Sequence, residues 1–141
     1  MSLEENKAIA RRHFEELWSK GDLGVADEIY SPAAIGHHSD QPDRTGYPDV
    51  EKHDIIRERE AFPDTVVTVE YQIAEGDLVL TRWRMQGTNT GPLHGLPPTG
   101  REVSVTGFHV YRIVDGRIVE IWAQGDTLAF GRQLGLIPPS D

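Results

Sequence analysis

The sequence predicts one α+β domain in which helices come first and an antiparallel sheet follows. Apolar residues recur at helical spacing before Phe62, and the period changes to two after Pro63. The chain has 141 residues, of which 38% are hydrophobic. A domain of this length buries about two-thirds of its unfolded surface. Since neither a repeat nor a composition shift divides the chain, we expect a single domain over residues 1–141.

Three helices are expected before the first long strand. Their predicted spans are 3–18, 22–30 and 48–61. Gly21 is placed to end the first helix, Pro32 stops the second, and Pro48 suits the first turn of the third. The intervening segment 33–47 is rich in polar residues, which predicts a loop with one short strand.

Four strands are expected after the helices, over 67–73, 79–85, 103–114 and 117–126, with a short helix over 127–136. If 75–77 forms the first hairpin loop, Ile73 faces Val79 and Glu70 meets Arg82 on the opposite surface. Four glycines and three prolines in 87–100 predict a long shaped loop that could line a binding site.

A second hairpin turn at Asp115–Gly116 predicts which residues share a face. Counting outward from it, one surface should carry Tyr111, His109, Trp122, Gln124 and Asp126. Polar groups among large apolar ones on an inner sheet face are typical of a small-molecule pocket. A carboxylate in a poorly hydrated pocket is suited to proton transfer, so Asp126 is the candidate base.

Several of these residues also have a purely structural interpretation. Asp126 could cap the helix that begins at Thr127. His109 could be a satisfied core histidine, and Trp122 could serve packing alone. His37 and His38 are adjacent and point in opposite directions in an extended segment, so at most one of them faces a pocket.

Composition limits the kinds of partner and the kinds of chemistry that we expect of this protein. The formal net charge of -9 argues against nucleic acid or an anionic membrane as the main partner. There is no run near the ~20 apolar residues of a membrane span, and the first five residues are too polar to begin a signal peptide, so we expect a cytoplasmic protein. The chain has no cysteine, and its histidines lack metal-ligand spacing. We therefore expect no metal.

Motifs along most of the chain resemble one known family. They are Phe62-Pro63-Asp64, Glu75-Gly76-Asp77, Gly87-Thr88-Asn89-Thr90-Gly91, Gly95-Leu96-Pro97-Pro98-Thr99-Gly100, Asp115 through Trp122, and Asp126. Together they are similar to the SnoaL-like polyketide cyclase (ester cyclase) family of the nuclear transport factor two-like superfamily. This resemblance implies a cone-shaped α+β barrel that encloses a pocket, a polyketide-like small-molecule partner and a homodimer.

The resemblance also implies a mechanism without metal or cofactor. In such cyclases an aspartate near the end of the last strand acts as general acid/base in an aldol ring closure. By position this is Asp126, with His109 and His38 as helpers. The residues expected to contact the ligand are Trp122, Gln124, Tyr111, Asn89, His37, Trp18 and Phe14. Asn89 stands where relatives often have histidine, and it cannot carry a proton at neutral pH.

Other functions on the same fold remain open. One is a non-catalytic binding protein for an apolar metabolite. Another is a hydrolase, although Arg82-Trp83-Arg84 lacks the arginine-flanked aspartate pair of limonene epoxide hydrolase. Ketosteroid isomerase is disfavoured because Phe14 stands where a tyrosine donor is expected. Fold alone does not decide among these functions.

Overall fold

A computed structural model describes residues 1–140 as a curved five-stranded sheet packed against helices. The helices are α1 (Leu3–Arg12), α2 (Gly24–Ile29), α3 (Asp49–Ala61) and α4 (Thr127–Gln133). The strands are β1 (Tyr30–His38), β2 (Val66–Glu75), β3 (Leu78–Thr88), β4 (Glu102–Val114) and β5 (Arg117–Gly125). Their order in the sheet is β1-β5-β4-β3-β2. The predicted α+β class is confirmed.

The first helix changes its winding before it reaches the site. A capping box starts it: Ser2 Oγ accepts from the Glu5 N–H, and Glu5 accepts from the Ser2 N–H. After α1 the chain continues as a π-helical segment, His13–Trp18. There the N–H of Ser19 donates to the carbonyl of Phe14, five residues back, at 2.9 Å. The predicted helical span over 3–18 is right, but its last six residues are π-helical.

The segment expected to be mainly loop, 33–47, begins inside a nine-residue strand, β1. It lies at the edge of the sheet and pairs in parallel with β5. Only two helices therefore precede the first strand, and the sheet is not wholly antiparallel. The sequence signal is weak because the buried positions after Tyr30 are the small residues Ala34 and Gly36. The pairing partner is also remote in sequence.

The β4–β5 hairpin has the predicted turn but not the predicted register. Val114 pairs with Arg117, and Asp115 takes the positive φ of 50° that such a turn needs. Beyond Ile118 the strand β5 contains a bulge at Val119, so that Arg112 pairs with Glu120. One extra residue moves every later side chain of β5 to the other face of the sheet. The predicted pairing of His109 with Trp122 is therefore wrong.

The β2–β3 hairpin is tighter than expected. Glu75 pairs directly with Leu78, so Ile73 faces Leu80 and not Val79. A bulge at Glu70 restores the predicted pairing of Val69 with Trp83. The predicted contact across the outer surface is confirmed, because Glu70 accepts from the Nε of Arg82 at 2.8 Å.

The core lies between the inner face of the sheet and the helices. Its most deeply buried branched aliphatic residues, each at most 1% exposed, are Leu17, Ile29, Ile55, Val79 and Ile118. They come from the π-helical segment, α2, α3, β3 and β5, so one apolar cluster joins both layers. Among residues 1–140 there is no helix with the length and apolar character to cross a membrane.

Candidate active site

A cavity of about 340 Å³ opens between the sheet, the π-helical segment, β1 and α3. We call its solvent-exposed border the mouth, formed by Ser39, Asp40, Gln41, Asp126 and Thr127. We call its buried border the inner end, which includes His13, Phe14, Tyr30, Tyr47 and Glu51. His109 and Trp83 line the wall contributed by the sheet. The cavity thus combines aromatic surface with a few polar groups, as small-molecule sites usually do.

Asp126 lies at the mouth, directly after β5 ends. It is exposed, and its Oδ1 accepts from the Ala129 N–H at 2.9 Å, which caps α4. Its own N–H donates to the carbonyl of Thr106 at 3.1 Å. Both interpretations from the sequence therefore describe its position, since the residue caps a helix and borders the pocket. The cap uses one carboxylate oxygen.

His109 lies on the sheet wall because it pairs with Ala123 on the pocket face. Its Nδ1 accepts from the Nε1–H of Trp83 at 2.7 Å. Since an indole nitrogen can only donate, the imidazole proton of His109 must be on Nε2. Burial lowers the pKa of His109 to about 3, with the charge of His38 as a smaller cause. His109 is therefore neutral at pH 7 and offers one fixed N–H donor.

Two glycines make room for the Trp83 ring that holds His109. A Cβ at Gly107 would collide with the ring of Trp83, and a Cβ at Gly125 would come within 3.3 Å of it. Gly107 and Gly125 pair with each other across β4 and β5. The gap predicted at Gly107 is thus filled by an indole ring that orients a polar group.

Three other predicted residues also line the cavity: His38, Phe14 and Trp18. Of the two adjacent histidines, only His38 faces the pocket, as their opposite directions require. The Nδ1 of His38 is buried and has no hydrogen-bond partner within residues 1–140. Burial lowers the pKa of His38, and the positive charge of Arg44 lowers it further.

Trp122 and Gln124 do not face the pocket, and their prediction as ligand contacts is wrong. Trp122 pairs with Val110, and Gln124 pairs with Phe108, on the outer face of the sheet. The cause is the bulge at Val119, which reverses the facing of β5.

His37 was also expected to contact the ligand, and the structure places it on the same outer face. Its ring stacks on Trp122 with 5.4 Å between the ring centroids. Its Nε2 lies 2.7 Å from Glu120, and its Nδ1 lies 2.9 Å from Asp43. These two carboxylates raise the pKa of His37. His37 therefore belongs to a surface ion-pair network.

Tyr111 and Asn89 are buried but do not line the cavity, so these predictions are wrong as well. Tyr111 packs behind the pocket wall, with its ring 5.2 Å from that of His13. Asn89 donates to the carbonyls of Ala61 and Gly91 and accepts from Thr99. Its amide thus holds the 87–100 loop in place.

The sequence reasoning missed Glu51, which lies on α3 at the inner end. It is 6% exposed, and its Oε1 accepts from the Nε1–H of Trp18 at 2.7 Å. Burial raises the pKa of Glu51 to about 7. A signal was available, because Glu51, Asp54 and Glu58 are spaced at i, i+3 and i+7 and so share one face of α3. All three line the cavity.

Glu58 is the second carboxyl on this face with an altered proton affinity. Burial raises its pKa to about 7, and its Oε2 is buried without a hydrogen-bond partner in the described chain. It stands between the cavity and a more open hollow of about 810 Å³, which the loop residues Leu93 and His94 border. Within residues 1–140, no three or more histidine and acidic side chains are grouped as they would be around a metal ion.

His13 connects the inner end to the core. Its Nδ1 lies 2.6 Å from the hydroxyl of Tyr30, and its Nε2 lies 3.6 Å from Glu51 Oε1. Burial holds the pKa of His13 well below its usual range and that of Tyr30 well above. Both groups are therefore neutral at pH 7, and the Tyr30 hydroxyl can donate to Nδ1. In that arrangement the remaining ring proton of His13 lies on the nitrogen nearer Glu51.

The curved sheet, the covering helices and the lined cavity define a nuclear transport factor two-like pocket protein. The family model for SnoaL-like polyketide cyclase matches residues 8–134, and the chain belongs to this family. The aklanonic acid methyl ester cyclase DauD of Streptomyces sp. (strain C5) is 33% identical over 123 residues, which cover 79% of this chain and 67% of DauD.

Solved structures show the same fold. AclR from Streptomyces galilaeus, provisionally described as a hydroxylase, superposes with a TM-score of 0.86 at 28% identity, covering 99% of this chain and 87% of AclR. A protein from Jannaschia sp. CCS1, provisionally described as a SnoaL-like polyketide cyclase, superposes with a TM-score of 0.84 at 28% identity, covering 96% of this chain and 94% of that one.

Proposed function

We propose that this protein closes a ring in a polyketide-like ester by an acid/base-catalysed aldol reaction that needs no cofactor. The observation that carries the proposal is the cavity itself, which has a carboxylate, Asp126, at its mouth and a neutral N–H donor, His109, on its wall. An aldol closure needs one base to remove a proton and one donor to stabilise the oxygen on which charge develops.

The spacing of these two groups suits a folded chain. Gly125, next to Asp126, pairs with Gly107, which is two residues from His109 on β4. At a strand rise of about 3.3 Å per residue, the two side chains originate roughly 10 Å apart. A ligand with several carbonyl groups can span this distance, whereas a direct hydrogen bond cannot.

The reaction would proceed in two coupled parts. Asp126 takes a proton from a carbon beside a carbonyl, and the electron pair left on that carbon attacks a second carbonyl of the same molecule. The electron pair of the attacked C=O bond moves onto its oxygen, which His109 Nε2–H stabilises by a hydrogen bond. Phe14 and Trp18 give the apolar surface that holds the chain folded.

The relatives support a proposal for the substrate class. DauD is named as an aklanonic acid methyl ester cyclase, and a neutral ester suits a cavity in which His13 and His109 are uncharged. We therefore propose a polyketide methyl ester as the substrate. The likeness to AclR makes hydroxylation an alternative that the experiment must separate.

The test is turnover of a panel of polyketide methyl esters by the wild-type chain and by Asp126→Asn. The variant keeps an oxygen to accept from the Ala129 N–H but cannot take a proton, so kcat should fall about 10²- to 10⁴-fold. Asp115→Asn is the matched control. This exposed residue lies at the other end of the same hairpin, and asparagine tolerates its positive φ.

The product identifies the reaction. Ring closure yields an isomer of the substrate, whereas hydroxylation adds one oxygen atom, and a mass spectrum separates the two. Full activity of Asp126→Asn contradicts the proposed role of Asp126. Tight binding of the esters with no conversion of any of them supports the non-catalytic binding protein instead.

A further inference from the structure

We infer that Glu51 is a second acid/base residue of this pocket and gives a proton to the oxygen of the attacked carbonyl as the ring closes. The inference rests on the proposed function and extends it from Asp126 at the mouth to the inner end.

One oxygen of Glu51 is available to contact a ligand in the cavity. Oε1 is held by the indole N–H of Trp18 at 2.7 Å. The Trp18 bond uses only Oε1, and within residues 1–140 no hydrogen bond to Oε2 is found, while the side chain lines the cavity. The carboxyl is thus oriented through one oxygen and open through the other, as a group that exchanges a proton with a ligand must be.

No lysine or arginine of the described chain forms an ion pair with this carboxyl, although the charge of Arg44 lowers its pKa somewhat. Asp54, one turn further along α3, is paired with Arg44 at 2.6 Å, whereas the nearest basic group to Glu51 is the neutral His13 at 3.6 Å. A buried carboxylate without a cation is costly, so the group retains its proton up to about pH 7.

A purely structural role does not need an acid here. A glutamine at this position could accept the same hydrogen bond from Trp18 without any cost of burying a charge. What a carboxyl can do and an amide cannot is donate and recover a proton. The titratable and charged groups that face Glu51 are His13, Tyr30, Arg44, Tyr47, Asp54 and Tyr111.

The proposed step transfers one proton from Glu51 to the ligand and one proton from the ligand to Asp126. As the new carbon–carbon bond forms, the electron pair of the attacked C=O bond moves to its oxygen, and the O–H bond of Glu51 breaks as that oxygen takes the proton. The product is an alcohol, Glu51 is left as a carboxylate, and Asp126 holds the proton from carbon. Asp126 then releases its proton to solvent at the mouth, and Glu51 recovers one before the next turnover.

His13 supports the state that follows proton transfer. With the Tyr30 hydroxyl donating to Nδ1, the ring proton of His13 is on Nε2, which lies 3.6 Å from Glu51 Oε1. This distance is too long for a strong hydrogen bond but close enough for the dipole to favour the carboxylate. His13 and Tyr30 are therefore positioning residues in this scheme.

The test compares Glu51→Gln with wild type on the substrate identified above. We expect kcat to fall about 100-fold, with KM little changed, because the lost donor acts in the transition state. The wild-type kcat should decline as the pH rises through about 7, since the active form of Glu51 is protonated. This decline should be missing in the variant. Asp49→Asn, exposed at the start of α3, is the matched control and should retain the wild-type profile.

A second variant distinguishes the loss of the acid from a folding defect. Glu51→Asp keeps an acid with a shorter reach, so it should retain more activity than Glu51→Gln and should still lose activity as the pH rises. Equal kcat values for the two variants at every pH overturn the inference. A Glu51→Gln variant with the wild-type kcat and pH profile also overturns the inference. If Asp126→Asn is inactive in the same assay, the cyclase proposal is still supported. If the wild-type chain converts no ester, the proposed function and this inference fall together.

Discussion

The mouth and the inner end of the pocket hold carboxyl groups in opposite environments. At the mouth, Asp126 is exposed, and its charge is hydrated and directed at the N-terminus of α4. At the inner end, Glu51 is 6% exposed and has no cationic partner in the described chain. The difference shows how one small fold can carry a proton acceptor and a proton donor at the same pH, because burial favours the neutral form and hydration the charged form.

The histidines also differ in pKa between the pocket and the outer face of the sheet. His13 at the inner end is buried and His109 on the sheet wall is partly buried, and desolvation lowers the pKa of each. His37 on the outer face lies between two carboxylates, and its pKa is raised. A neutral imidazole can stabilise an oxygen without bringing a charge into the pocket. The inner end is thus suited to a neutral ligand.

The largest expected effect concerns the stability cost of the buried carboxyl. The folded protein keeps a proton on Glu51 up to about pH 7, whereas an unfolded glutamate loses it near its ordinary value of 4.5. The stability contributed by this proton is present below pH 4.5 and is lost as the pH rises through about 7. Glu51→Gln, which stays neutral, should therefore be more stable than wild type at pH 8 by up to about 3 kcal/mol.

Denaturant unfolding of both proteins at pH 4.5 and pH 8 measures this difference. The gain should be small at the lower pH, because the wild-type carboxyl is then protonated in the folded state and still about half protonated in the unfolded state. Glu60→Gln, exposed on the same helix, serves as the control and should show no comparable pH dependence. An equal gain at both pH values would mean that Glu51 is not protonated by burial.

A smaller effect is expected when the orientation of His109 is disturbed. Trp83→Phe keeps an aromatic ring over Gly107 but removes the N–H that fixes the tautomer of His109. We expect kcat to fall about tenfold, equivalent to about 1.4 kcal/mol. Trp122→Phe on the outer face should leave turnover unchanged. The reverse pattern, with loss of activity only in Trp122→Phe, would show that the register of β5 is not as described.

The smallest effect is expected at the mouth. Asp126→Ala removes the side chain that accepts from the Ala129 N–H and should lower the free energy of unfolding by about 1 kcal/mol. Asp126→Asn keeps the acceptor, so its stability should be close to that of wild type. Thermal unfolding of the two variants separates the cap from the chemistry. A loss in Asp126→Asn as large as in Asp126→Ala would show that the charge, and not the hydrogen bond, stabilises α4.

Much of the fold could be predicted because it depends on neighbouring residues. The helical periods of α1 and α3, the strand alternation of β2 to β5 and the turn at Asp115–Gly116 are all local signals. The strand β1 was underestimated because its partner β5 is more than eighty residues away and pairs in parallel. No local sequence pattern predicts a parallel pairing between strands so far apart in the chain.

The site was predicted in part for the same reason. Asp126 and His109 were chosen from the hairpin at Asp115–Gly116, the family resemblance added His38, and all three line the cavity. Trp122 and Gln124 were misplaced because one bulge residue reverses a face, and a count of alternating residues assumes that no bulge exists. Glu51 was missed because a glutamate on an amphipathic helix is expected to face solvent.

By itself, the sequence determined what short stretches of backbone can do: where helices begin and end, where a two-residue turn is allowed, and which segments alternate. These properties follow from the φ/ψ preferences and spacing of residues a few positions apart. Only the tertiary structure decided which side of β5 faces inward, that α3 presents its carboxyls to a cavity, and that the Trp83 indole fixes the His109 proton. Each of these depends on contacts between residues that are distant in the chain, where the free energy of packing outweighs local preference.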